Sequence, residues 1–212
     1  EFANDAYANG AQNHQADEGD WQMRKAAAEK AWREWMPVRD IDDGERWSNY
    51  RIGDLAEIFM TESRIGARSK PAELQIPRGA DEAGALAAIK AFTQGDWQSA
   101  DRTMLGTSQE DWLSRGFQSS KAKWNIWAQQ TIMGTILQPD ETVNWLAPDA
   151  PDFAKARVRR GAMAAKAGIP ANLDAWDGYP EARQRLLQNV VDARLKNVVT
   201  LGGDVHMNVA AN

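Results

Sequence analysis

The sequence predicts an α/β fold, on three observations. Leu186, Leu187, Val190, Val191 and Leu195 recur at helical spacing and lead straight into Val198-Val199-Thr200-Leu201, the composition of a buried strand. A helix feeding a strand in this way is an α/β unit. Trp124 to Gln129 alternates like a second strand, and Tyr50 to Met60 contains two apolar runs folded about Gly53-Asp54.

Composition narrows the function classes. The 212 residues are 43% hydrophobic and 26% charged, the profile of a soluble globular protein and enough for one sizeable domain or at most two small ones. No apolar run approaches the length of a membrane span. The formal net charge is -5 with Lys and Arg scattered, so the footprint of a nucleic-acid binder is missing. Arg157, Arg159 and Arg160 form one basic cluster, expected as a solvated helix face. Without cysteine there is neither a thiolate nucleophile nor a zinc–thiolate site in these residues. Ten tryptophans are spread along the whole chain, which favours core anchors over a single aromatic platform.

Taken in order, residues 1–19 are polar and aperiodic and are expected as loop, with His14 at the surface. Asp20 to Met36 is a helix: Asp20 caps it, Pro37 stops it, and the stripe Trp21, Ala28, Trp32, Trp35 is expected to pack in the core. Residues 46–64 form a hairpin about a two-residue Gly53-Asp54 turn, with Arg64 in the polar cluster at its end, holding an anion or pairing with Glu62. Residues 65–80 cross the surface. A helix runs from Asp81 to Phe92, and Thr107 to Asp111 offers two overlapping capping boxes for the next. Trp124 and Ile126 share one strand face. A helix from Asp152 to Ala167 closes at Gly168 and Pro170. Pro180 opens the last helix, which ends at Asn197.

Beyond Leu201, Gly202-Gly203 marks a turn where backbone approaches something closely. Asp204 and His206 follow, two residues apart. In extended chain they would share a face, so a carboxylate and an imidazole would enter one site at the carboxyl end of a strand. Both are ordinary metal ligands. Equally, an Asp after Gly-Gly can serve only its own turn, and a lone His can be a plain surface residue.

Several segments together resemble the alkaline phosphatase D family of metallophosphoesterases. They are Glu1-Phe2-Ala3-Asn4-Asp5-Ala6, Trp35-Met36-Pro37-Val38-Arg39, Tyr50-Arg51 with Gly53-Asp54-Leu55-Ala56, Met104-Leu105-Gly106 with Gln109-Glu110 and Trp112-Leu113, Trp124-Asn125 with Gln129-Gln130, Trp176-Asp177-Gly178-Tyr179-Pro180, and Asn197 to His206. Singly these are weak, but seven in order are specific. The resemblance implies a calcineurin-like two-sheet sandwich flanked by helices, hydrolysis of phosphate mono- and diesters of small molecules, an iron and calcium centre, and an extracellular or periplasmic location. Metal cations suit that chemistry because they neutralise phosphoryl oxygens and supply hydroxide near neutral pH.

Position by position, the resemblance makes Asp204 and His206 metal ligands and Asn4 a ligand through its amide oxygen. It aligns Arg64 with the Arg of the family's Asp-Thr-Arg stretch, a substrate-binding position, while Glu62 and Ser63 depart from that pattern. Trp176 and Tyr179 fall to structure. The family's first strands, with their Asp and Tyr ligands, and its C-terminal motifs have no counterpart in the chain. The 212 residues thus resemble one internal, partial domain, incomplete as a catalyst alone and with strand edges exposed. The competing expectation is a non-catalytic α/β binding module with an aromatic surface.

Overall fold

Three parallel strand ends define the architecture. The computed structural model describes residues 3–37, 46–77, 79–206 and 210. Glu1, Phe2, Val38, Arg39 and Asn212 lie outside the described residues. Strands β1 (Ser48–Ile52), β2 (Ala56–Met60), β3 (Trp124–Ala128) and β4 (Val198–Leu201) form one sheet in that order. β1 runs antiparallel to β2, while β2, β3 and β4 are parallel. Parallel neighbours need helical crossovers. Helices α2 (Glu82–Thr93) and α3 (Thr107–Ser119) connect β2 to β3, and α4 (Asp152–Lys166) and α5 (Pro180–Asp192) connect β3 to β4. Helix α1 (Trp21–Trp35) precedes the sheet. The α/β class holds. The described residues carry one sheet and not the two of the expected sandwich.

Strand alternation divides the sheet into two unlike faces. One carries Phe59 and Trp127, both fully buried against Leu113 and Phe117 of α3 and Ala182 and Leu186 of α5. Edge-to-face contacts tie this core together, with ring centroids 5.1 Å apart for Phe59–Phe117 and 5.5 Å for Trp127–Trp176. Gly116 lets α3 come down onto Phe59, whose ring would lie 2.5 Å from an added Cβ. The other face aligns Tyr50, Ile58, Ile126 and Val199 in one register row, then Met60, Ala128 and Leu201 in the next. Tyr50, Ile52, Met60, Trp124, Val199 and Leu201 on this face are all exposed. An apolar face spanning four strands is larger than the scattered surface hydrophobics of an ordinary monomer.

Several expectations change here. β4 is an edge strand and mostly exposed, although its composition is that of a buried one. Asp20 caps α1 by accepting the Met23 N–H at 2.9 Å, as expected, but only Trp21 of the tryptophan stripe is buried; Trp32 is exposed and Trp35 is 84% exposed. The 3.6-residue period identifies the helix, but among the described residues no neighbour covers its distal half. The hairpin turn takes three residues, Gly53 at φ 55° through Leu55, and not two. α3 is capped by Gly106 at φ 78°, so Thr107 lies inside the helix and the capping boxes do not form. α5 ends at Asp192, before Asn197, and leaves Leu187 and Val191 exposed. Arg68 is buried in the segment expected to cross the surface.

The two faces make opposite demands on stability. Trp127→Ala is expected to lower unfolding free energy by about 3–5 kcal/mol through cavity formation. Trp124→Ala is expected to stay within about 1 kcal/mol and to reduce binding of an apolar fluorescent dye. Urea denaturation and dye titration of both variants check the pair.

Candidate functional site

The carboxyl ends of β2, β3 and β4 lie side by side because the three strands are parallel and in register. Thr61 N–H continues the ladder to the Ala128 carbonyl at 3.0 Å, and Gln129 N–H does so to the Leu201 carbonyl at 3.0 Å. Three loops therefore emerge at one edge: Glu62 to Gly66, Gln129 to Thr131, and Gly202 to His206. Ligands of open α/β sheets bind at this edge. Gly202 passes so close to the Thr131 carbonyl that a Cβ would collide with it, which is the close approach expected of that glycine.

Charge alternates through the contacts at this edge. Asp204 pairs with Nη2 of Arg64, and Nη1 of Arg64 lies 2.5 Å from Oδ2 of Asp174. Oδ1 of Asp174 lies 2.5 Å from Nη2 of Arg68. The Arg68 side chain is fully buried, and it also donates to the Ala6 carbonyl at 3.1 Å, the Asp174 carbonyl, and Oη of Tyr179 at 2.9 Å. Tyr179 in turn donates to the Ser69 carbonyl at 2.7 Å. Burial pushes the Tyr179 phenol above its ordinary 10.0, against the pull of the Arg68 guanidinium. A buried guanidinium is tolerable only when its donors are met in this way. Arg68 thus forms the buried end of the site and Asp204, 36% exposed, its solvent end, with Asp174 and Arg64 between them.

The loop from the amino-terminal end meets the same turn from another side. Ala3, Ala6 and Trp21 pack with Ile65, the residue after Arg64. Lys25 of α1 donates to the Ile65 carbonyl at 2.6 Å.

Asp204 and Arg64 come together. His206 lies in the same loop and is exposed, but both it and Asp204 adopt positive φ, 57° and 71°, so the extended geometry that would share a face does not form. The chain leaves β4 at Leu201 and turns before either residue. Asn4 spends its amide N–H on Gln12 Oε1 at 2.8 Å and its main-chain N–H on Asn13 Oδ1 at 2.9 Å. Arg64 takes Asp174 and Asp204 as partners through its side chain and meets Glu62 only through its main-chain N–H, at 2.6 Å. Trp176 and Tyr179 are fully buried, as expected of structural residues.

No group of three or more His, Asp or Glu side chains among the described residues is arranged to hold a metal ion. Asp204 already has a cationic partner. The donor chemistry of Asp204, His206 and Asn4 suits a cation, but these residues do not make a site for iron and calcium by themselves. No motif in the sequence assigns a role to Arg68, Asp174 or Gln109. A signal existed for Gln109 and Gln130, which sit inside the segments quoted for the resemblance, and for Arg68, which follows Arg64 by four residues. Nothing local marked Asp174, whose partners are 110 and 106 residues away in sequence.

Known proteins share this arrangement of elements. The family model for PhoD-like phosphatases matches residues 1–212. Alkaline phosphatase D of Bacillus subtilis (strain 168) is 28% identical over 195 residues, covering 90% of this chain and 27% of that protein. The solved structure of PhoD superposes with a TM-score of 0.63 over 97% of this chain and 33% of that one, at 24% identity, a likeness of fold. The chain therefore spans between a quarter and a third of the proteins it matches.

The inner and outer ion pairs should respond differently to substitution. Asp174→Ala removes the counter-charge of buried Arg68 and is expected to cost about 3–5 kcal/mol. Asp204→Ala, at the solvent edge, is expected to cost less than about 1 kcal/mol. Chemical denaturation of the two variants checks the order.

Proposed function

Because the chain belongs to the PhoD-like phosphatase family, we propose that the whole protein hydrolyses phosphate esters and that these residues form one wall of its catalytic domain. The observation that carries the proposal is Arg64: a guanidinium at the carboxyl edge of parallel strands, oriented by two carboxylates. Guanidinium N–H groups donate strong charge-assisted hydrogen bonds to phosphate oxygens. Nη1 stays with Asp174, which is itself held by Arg68, while Nη2 faces Asp204 at the exposed end. A phosphate oxygen arriving from solvent exchanges with Asp204 at Nη2. The guanidinium then offsets charge that builds on the phosphoryl oxygens as the ester bond breaks.

Iron and calcium, expected from the resemblance, remain part of the proposal for the whole protein. When bound they would neutralise phosphate and activate water. Asp204, His206 and Asn4 do not assemble that centre alone, so its further ligands would come from the rest of the protein. The same reasoning applies to architecture. The open apolar face of the sheet suits a second layer of the expected sandwich. An extracellular or periplasmic location is proposed on the resemblance alone.

The competing reading, a non-catalytic binding module, draws support from exposed Trp32, Trp35, Trp124 and Trp145. Two of these fall on α1, one on β3 and one near α4, so no single element carries all four. The test uses the full-length protein with p-nitrophenyl phosphate at alkaline pH. Hydrolysis is expected, with kcat/KM lowered about a hundredfold in Arg64→Ala. A folded Arg64→Ala with undiminished kcat/KM would remove Arg64 from the site, and no hydrolysis by the wild type would favour the binding module.

A further inference from the structure

Glu62 is buried at the catalytic edge, yet its carboxylate is aimed at the main chain and at neither guanidinium. Oε1 accepts the N–H of Arg64 at 2.6 Å and of Ile65 at 2.9 Å, and Oε2 accepts the N–H of Gly66 at 2.6 Å. Three successive amides converge on one carboxylate, the concave arrangement that otherwise binds free anions. Each bond is charge-assisted, which offsets the cost of burying the carboxylate. A Cβ at Gly66 would lie 2.6 Å from Oε2, so a larger residue there would have to push the carboxylate aside.

The outside of the same turn is clamped by two glutamines. Gln109 accepts the Glu62 N–H at 2.7 Å and donates to the Glu62 carbonyl at 2.8 Å. Gln130 accepts both the N–H and the hydroxyl of Ser63, at 2.5 and 2.8 Å. Arg64 is the middle residue of this turn. Its direction is therefore set by a backbone held on the inside by Glu62 and on the outside by α3 and the loop after β3.

We propose that Glu62 is a positioning residue for phosphate recognition: its carboxylate shapes the turn from which Arg64 reaches the substrate. The proposal rests on the reading of Arg64 as the phosphate contact and adds the group that aims it. The length of the Glu side chain is what allows the reach to residues two, three and four positions ahead; an Asp side chain serves chiefly the amide two residues on. Loss of the carboxylate leaves three amides, the buried N–H of Arg64 among them, to find other partners, and the turn relaxes. An arginine displaced by about 1 Å loses much of its grip on an oriented ligand.

The test measures Ki for inorganic phosphate, with kcat and KM, in the full-length protein as wild type, Glu62→Ala, Glu62→Gln, Arg64→Ala and the double Glu62→Ala/Arg64→Ala. Glu62→Ala is expected to raise Ki about tenfold. Glu62→Gln keeps an acceptor for Arg64 and Ile65 and is expected to recover most of that loss. In the Arg64→Ala background, Glu62→Ala is expected to add nothing, because coupled residues are not additive. A purely structural role would lower the folded fraction and the apparent kcat while leaving Ki unchanged, and would overturn the proposal. Additive effects on Ki would overturn it too, while leaving Arg64 as the phosphate contact. An Arg64→Ala variant with unchanged Ki would instead remove the underlying reading, and the proposal with it. Should Glu62→Ala fail to fold, Glu62→Asp, whose shorter side chain gives up the amides of Ile65 and Gly66, carries the comparison: a rise in Ki with Arg64 present that vanishes in the Arg64→Ala background supports the proposal, and no rise overturns it.

Discussion

Arg68, Asp174, Arg64 and Asp204 form a chain of alternating charges that begins in the interior and ends at the solvent edge of the sheet. Its inner member cannot be left unmet. A guanidinium with a fully buried side chain is tolerated only because Tyr179, Ala6 and Asp174 take its donors. Asp174 is shared, so the position of the buried arginine fixes the position of the outer one. The contrast in burial between the two ends of this chain of charges, Arg68 with no side-chain exposure and Asp204 with 36%, then separates the roles. The inner pair holds the fold, and the outer pair, where Asp204 is half open to solvent, is the part that can exchange with a ligand.

That chain works only because the sheet delivers its partners to one place. Parallel pairing of β2, β3 and β4 sends three loops to a single edge, and α3 and α5 cover one face with Phe59 and Trp127 at the centre. Gln109 links the two levels, since it projects from α3 and grips the main chain of Glu62. Core packing behind the sheet thereby reaches the turn that carries Arg64. The opposite face has no comparable cover among the described residues, and its row of Tyr50, Ile58, Ile126 and Val199 is continuous across all four strands.

Local signals in the sequence predicted local structure. Asp20 before a periodic run located the start of α1, Pro180 located the start of α5, and the alternation around Ile126 located β3. What they could not convey was which side would be covered. Val198 to Leu201 has the composition of a buried strand, and Trp32 and Trp35 have the spacing of a core stripe, yet each is exposed because burial depends on a neighbour and not on a period. The site shows the same division. Asp204 and Arg64 were singled out from the residues around them. Their pairing spans 140 positions, and the role of Asp174 between them exists only once α4 and α5 have folded the chain back. Positive φ at Asp204 and His206 was equally invisible, since neither is a glycine.

The claim at the centre is that the guanidinium of Arg64 is the anion-facing group of this edge. A crystal structure of the full-length protein soaked with inorganic phosphate tests it most directly. Phosphate oxygens within hydrogen-bonding distance of the Arg64 guanidinium, with Asp174 still on Nη1, are the result expected. Phosphate bound elsewhere while Arg64 keeps both carboxylates would contradict the account.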